Sequence, residues 1–114
     1  MKREKKRRLE DAGWRVSNAA TFLGLTAAEQ RLLELKLTLA DGVRQFRERK
    51  GLSQAALATQ VGSSQSRIAK LEAADTSVSL DLMIRASIMV GAGPVDIAKL
   101  IRKAGVREAA QRWR

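Results

Sequence analysis

Apolar residues at Leu32, Leu35, Leu39, Val43 and Phe46 recur at three- and four-residue steps, the spacing of one helical face. They predict a helix from about Ala27 to Arg49, unbroken or with a break near Asp41 and Gly42. Thr26 with Glu29 fits a capping box, in which each side chain satisfies the other residue's backbone donor. Inside this run "LELKLTLA" alternates apolar and polar like a strand. Leu, Glu, Lys and Ala are helix formers, however, and the longer stripe favours helix.

The same punctuation continues downstream. Gly51 stops the long helix, and Ser53 caps another over Gln54 to Val61 with Leu57, Ala58 and Val61 turned inward. Gly62 and Ser63 make a tight turn, and Ser64 caps a third helix to about Ala73 with Ile68 and Leu71 as its apolar contacts. Ser79, with Asp81 in the first turn, opens a fourth helix to about Val90. Pro94 opens the last, because proline tolerates a first helical turn and resists any later one, and Gly105 is expected to end it. Upstream, Ser17 or Asn18 caps a short helix that Gly24 ends. The whole pattern is all-α.

The fourth helix carries more apolar surface than one stripe. Leu80, Met83, Ile84, Ser87 and Val90 face inward, leaving Leu82, Ala86 and Met89 on a second face. Val95, Ile97, Leu100 and Ile101 add a similar surplus on the last helix. This surface calls for a cover, either the N-terminal helices with Phe22 and Leu23 or a second subunit.

Charge narrows the class of partner. The chain of 114 residues suits one domain with an extension, and its 22 Lys and Arg against 12 Asp and Glu give a formal charge of +10. Such a balance points to a polyanion, foremost nucleic acid. Seven cations stand against three acids in residues 1–15, six against two in 44–72, and six against one in 99–114. No apolar run is long enough to span a bilayer and no apolar signal region follows the charged start, so a soluble intracellular protein is expected. Without Cys or His there is no thiolate site, disulfide or common metal ligand. Glu29, Glu34, Asp41 and Glu48 lie at different helical phases and no phosphate loop stands out, so no catalysis, cofactor or metal is expected. Trp14 and Trp113 are candidates to stack on bases, and the expectation favours each anchoring a terminal segment to the core.

The stretch "QVGSSQSRIAKLE", Gln60 to Glu72, opens a helix with more polar groups than capping requires. Two short helices joined by a Gly-containing turn form a helix-turn-helix, whose second helix enters the DNA major groove. There adenine offers an acceptor beside a donor, which a Gln amide pairs bidentately, whereas Arg or Lys suits the two acceptors of guanine.

The segment "GLSQAALATQVGSSQSRIAKLEAADTSVSLDLMIRASIMVGA" resembles the helix-turn-helix of the XRE family, the Cro and phage-repressor group. The likeness spans roughly residues 40 to 103: Leu-Ser-Gln opening the second helix, Leu57-Ala58, Gly62 in the turn, Ser-Gln-Ser opening the third, then Ile68, Leu71 and Glu72. "AAD" at 73–75 departs from the glycine of many members. The resemblance implies an all-α, five-helix lambda-repressor-like helix-turn-helix domain with an N-terminal helical extension. The expected organisation is a basic flexible arm 1–13, the extension 14–36, the DNA-binding domain 37–104 and a basic tail 105–114.

By the same resemblance Gln65, Ser66 and Lys70 face base edges, and Arg67 reaches a base or a phosphate. Gln54 binds phosphate and braces Gln65, while Ser53, Ser63 and Ser64 cap helices and touch the DNA backbone. Arg44 and Lys50 complete the expected DNA-binding set. The function so implied is a sequence-specific DNA-binding transcriptional regulator, in the first instance a repressor. The alternative is a HigA-type antitoxin that neutralises a toxin and represses its own operon. Expected partners are double-stranded DNA, a second copy of the chain and, in the alternative, a small toxin protein; no membrane is involved. The expected setting is the cytoplasm, on the nucleoid, of a bacterium or phage host.

Overall fold

In the computed structural model of the protein the described residues are 24–112, with side chains described through Gly105. The basic arm, Trp14, the expected helix after Ser17, Phe22, Leu23 and Trp113 lie outside them. The described residues form five helices: α1 (Ala27–Arg49), α2 (Gln54–Val61), α3 (Gln65–Glu72), α4 (Leu80–Met89) and α5 (Pro94–Arg112). No strand occurs among them.

Each start follows from a local capping bond. Thr26 Oγ1 accepts from the Glu29 amide at 3.2 Å and Glu29 Oε1 accepts from the Thr26 amide at 3.1 Å, which closes the capping box. Ser53, Ser64 and Ser79 each accept the backbone N–H three residues on, at 3.0 to 3.2 Å. A serine cap of this kind contributes about 1 kcal/mol over alanine.

α1 runs through Asp41 and Gly42 without a break. Leu37, Leu39, Ala40, Gly42 and Val43 are all buried on it, because α3, α4 and α5 all pack against this one helix. This explains the strand-like alternation of "LELKLTLA": a helix covered on several sides needs apolar residues at more than one phase. Gly42 has its own reason. A Cβ there would meet Leu100 Cδ1 at 2.6 Å and Cδ2 at 2.9 Å, so the bare backbone is the seat of α5. The expected boundary at residue 36 falls inside this continuous helix.

Val43, Leu57, Ile68, Leu71, Met83 and Val90 have no exposed surface and form the centre. Leu82 and Ala86, expected on a second face of α4, are also buried, at 3% and 0% exposure. The reason is that α4 lies against both α1 and α2, so its buried face is wider than one stripe. Leu100 likewise moves from the surplus surface to the core. What remains outside is Ile88, Met89, Val95 and Ile101, with Leu32 on α1.

Two further departures concern helix ends. α5 continues through Gly105 to Arg112, since one interior glycine costs only about 1 kcal/mol and good helix formers follow it. At the exit from α3, Ala74 takes the left-handed conformation with φ +56, where many relatives by resemblance place glycine. Its methyl is buried, so apolar contact offsets part of the conformational cost of about 1 to 2 kcal/mol. Asp75 Oδ1 then accepts from the Ser77 amide and hydroxyl at 2.8 and 2.6 Å, and Lys36 reaches from α1 to the Thr76 carbonyl at 3.3 Å.

Candidate nucleic-acid interface

The turn between α2 and α3 sets the geometry of the surface. Gly62 caps α2 at φ +74, a left-handed conformation that glycine adopts at little cost, and the Ser63 amide donates back to the Ala58 carbonyl at 2.8 Å. Leu57 and Ala58 of α2 and Ile68 and Leu71 of α3 are buried in one cluster, which fixes the two helices as a unit. With Ile68 and Leu71 turned inward, the remaining turns of α3 carry Ser64, Gln65, Ser66, Arg67 and Lys70 into solvent. Ser64 and Ser66 share a hydrogen bond at 3.2 Å.

Gln65 does not stand alone. Its Nε2 donates to Gln54 Oε1 at 2.9 Å, the brace expected of Gln54. Gln54 Nε2 in turn donates to Glu72 Oε1 at 3.2 Å. Glu72 is held by Arg47 through a two-point bond, Nε to Oε2 at 2.6 Å and Nη2 to Oε1 at 2.9 Å, while Arg47 Nη1 donates to the Leu52 carbonyl at 2.8 Å. The side chains of this ion pair are only 14% and 5% exposed. The hydrogen bond to Glu72 raises the Arg47 guanidinium above its ordinary value, ahead of the opposing effect of burial. A chain of polar contacts thus runs from the end of α1, through the end of α3, to the start of α2 and the exposed tip of Gln65.

Sequence reasoning left Arg47 out of the site and gave Glu72 no role. The contact spans 25 residues, so no local spacing announces it. A signal existed nonetheless. Arg47 lies four residues after Val43 on the inward stripe of α1, and Glu72 follows the buried Leu71, so two opposite charges stand where apolar residues are due.

The remaining expected residues divide. Ser53 and Ser64 cap their helices, and Ser63 is half-buried in the turn. Arg44 is engaged by Glu48 at 3.2 Å, a pair in which both side chains are 48% exposed. Such a pair is worth a few tenths of a kcal/mol and yields readily to a phosphate. Lys50, at the end of α1, lies across Gly91 after α4, where a Cβ would meet its Cε and Nζ at 3.0 Å. Both acids of the basic stretch 44–72 are therefore engaged, Glu48 by Arg44 and Glu72 by Arg47, and α3 has no acid in its first turn.

Two capped helices locked at a left-handed glycine, the second showing a polar and cationic face, are a helix-turn-helix DNA-binding unit. Residues 43–90 match the family model described as Helix-turn-helix, and the chain carries an XRE-type helix-turn-helix domain, a DNA-binding domain of transcription regulators. No curated protein and no solved structure matches the chain. No helix among the described residues is long and apolar enough to cross a membrane.

Proposed function

We propose that the protein is a sequence-specific transcriptional repressor that reads the major groove with α3 and its caps, Ser64 to Ala73. The observation that carries this reading is the exposed face of α3, where Gln65 is braced by Gln54. In the proposal Gln65, Ser66 and Lys70 meet base edges, and Arg67 meets a base or a phosphate. Gln54, Ser53, Ser63, Ser64, Arg44 and Lys50 serve the DNA backbone. The basic stretch Lys2 to Arg8, with six cations and one acid, adds phosphate contacts. An eight-residue helix reads few base pairs, so we assign a two-fold dimer, with Ile88, Met89, Val95 and Ile101 as its interface. Its setting would be the cytoplasm and nucleoid of a bacterium or phage host.

The test begins with a duplex selected from random sequence by the full chain. Gln65→Ala should weaken binding to that duplex by about 1 to 3 kcal/mol while barely changing affinity for random DNA, because a two-point base contact is lost and phosphate contacts remain. Equal losses on both would remove Gln65 from base reading. Repression is then read from a reporter carrying the selected duplex at its promoter.

One observation favours a second reading, the HigA-type antitoxin. α1 begins at Ala27, well ahead of the matched segment at residue 43, and exposes Leu32 on its early turns. That end would hold a toxin. A small basic ribonuclease-like reading frame beside the gene, whose product co-purifies with this chain, would favour it over a stand-alone repressor.

A further inference from the structure

We propose that Glu72 is a positioning residue that sets the polarity of the Gln54 and Gln65 amides and thereby the base that Gln65 prefers. The proposal rests on the base-reading role of Gln65 and goes beyond it. A glutamine amide has two faces of opposite character, an acceptor oxygen and a donor NH2, and on an exposed helix it turns freely between them. A free Gln therefore discriminates poorly.

Here the choice is made inside the protein. The Glu72 carboxylate only accepts hydrogen bonds, and its orientation is fixed by the two-point bond from Arg47, itself tied to the Leu52 carbonyl. Whatever part of Gln54 meets Glu72 must donate, so the Gln54 nitrogen points inward, at 3.2 Å, and its oxygen points out. Whatever part of Gln65 meets that oxygen must donate in turn, which it does through Nε2 at 2.9 Å. Gln65 is left with its Oε1 and its second N–H free. An acceptor beside a donor is the complement of adenine's N6 and N7, whereas guanine presents two acceptors. Turning Gln65 over would set two amide oxygens face to face. The negative charge on Glu72, which never touches DNA, is thus read out two residues away as a preference for adenine.

The same logic predicts a loss of choice in Glu72→Gln. Oε1 of Glu72 accepts from both Arg47 Nη2 and Gln54 Nε2, so an amide in its place can turn either its oxygen or its NH2 to Gln54, and neither arrangement pairs every Arg47 donor. Gln54 is then held in no single orientation, and Gln65 regains both of its own. Gln54→Met keeps the bulk, leaves the Arg47–Glu72 pair in place and removes the link.

The experiment uses the full chain and the selected duplex, with the base pair that Gln65→Ala reveals as its contact replaced in turn by each of the other three. The readout is the ratio of affinities, not the affinity, since Gln54 also serves the DNA backbone. The wild type should prefer adenine by roughly tenfold or more. Gln54→Met should abolish that preference, and Glu72→Gln should bring it down towards parity. If Gln65→Ala loses the adenine preference while Gln54→Met and Glu72→Gln both keep it, the relay is overturned and base reading by Gln65 stands. If Gln65→Ala shows no change in preference at any position, base reading fails and the relay with it. Should Glu72→Gln not fold, Gln54→Met decides alone: a lost preference supports the relay and a retained one refutes it.

Discussion

Replacing Gly42 with alanine tests how α5 is seated on α1. The new Cβ would lie 2.6 Å from Leu100 Cδ1, 2.9 Å from Cδ2 and 3.4 Å from Cγ. Apolar carbons rest at about 3.5 to 4.0 Å, so Leu100 must retreat by close to 1 Å or α5 must lift. Overpacking of this kind costs about 1 to 3 kcal/mol, and the better helix propensity of alanine returns about 1, so Gly42→Ala alone should destabilise by up to about 2 kcal/mol. Leu100 is 8% exposed, and Leu100→Ala should cost about 2 to 3 kcal/mol, the lower part of the range for a buried leucine. Together the two should not add. With Leu100 shortened, the Gly42→Ala methyl enters vacated space and the helix-propensity gain survives, so the double variant should be more stable than Leu100→Ala by about 1 kcal/mol. Urea unfolding of the four full-length proteins, followed by helical circular dichroism, measures each term. Additive losses within about 0.5 kcal/mol, or a stabilising Gly42→Ala in the wild-type background, would show that the two helices do not meet in this way.

Arg67→Ala should reduce affinity on all duplexes and lower the slope of log affinity against log salt by about 1 if Arg67 serves a phosphate; an unchanged slope assigns it to a base or to solvent. Val95→Glu, at a position 68% exposed, should leave the fold intact and convert a dimer to monomers in sedimentation, whereas a wild type monomeric at tens of micromolar would refute the assembly. Leu100→Glu is unsuited to that purpose, because Leu100 packs on Gly42 within the monomer. The Asp75 carboxyl is held below the ordinary aspartate value by the hydrogen bonds from Ser77. A depressed folded value means that its contribution is complete above the unfolded value of about 3.9 and is lost as pH falls through the folded value. Asp75→Asn should therefore flatten acid destabilisation below about pH 3.9 and leave stability near neutral pH independent of pH; identical acid limbs would remove Asp75 from the loop's stability.

Most of the fold is written in short-range chemistry, and for that reason it can be read in advance. Thr26, Ser53, Ser64 and Ser79 all cap the helices that their positions imply, and Gly51 and Gly62 both hold positive φ. The link from Gln65 to Gln54 was also legible, through resemblance to a family in which that pair opens the two helices. What escaped depends on neighbours distant in the chain. Leu82 and Ala86 are buried because α4 touches two helices at once, and a hydrophobic stripe carries no information about how many partners will cover it. The pairing of Arg47 with Glu72 spans 25 residues and forms only where distant helices meet, so no local spacing reveals it. Gly105 carries every local mark of a stop and is overridden by the helix formers that follow it.

The unbroken course of α1 has a mechanical consequence. Leu32 near one end and Arg47 near the other are separated by about 22 Å of helix at 1.5 Å per residue, with no proline between them. The single glycine on that path, Gly42, is where such a rod would bend, and Leu100 sits against it. The one soft point of α1 is thus clamped, and a displacement at Leu32 would reach Arg47 as a tilt of the helix, not as a bend at Gly42.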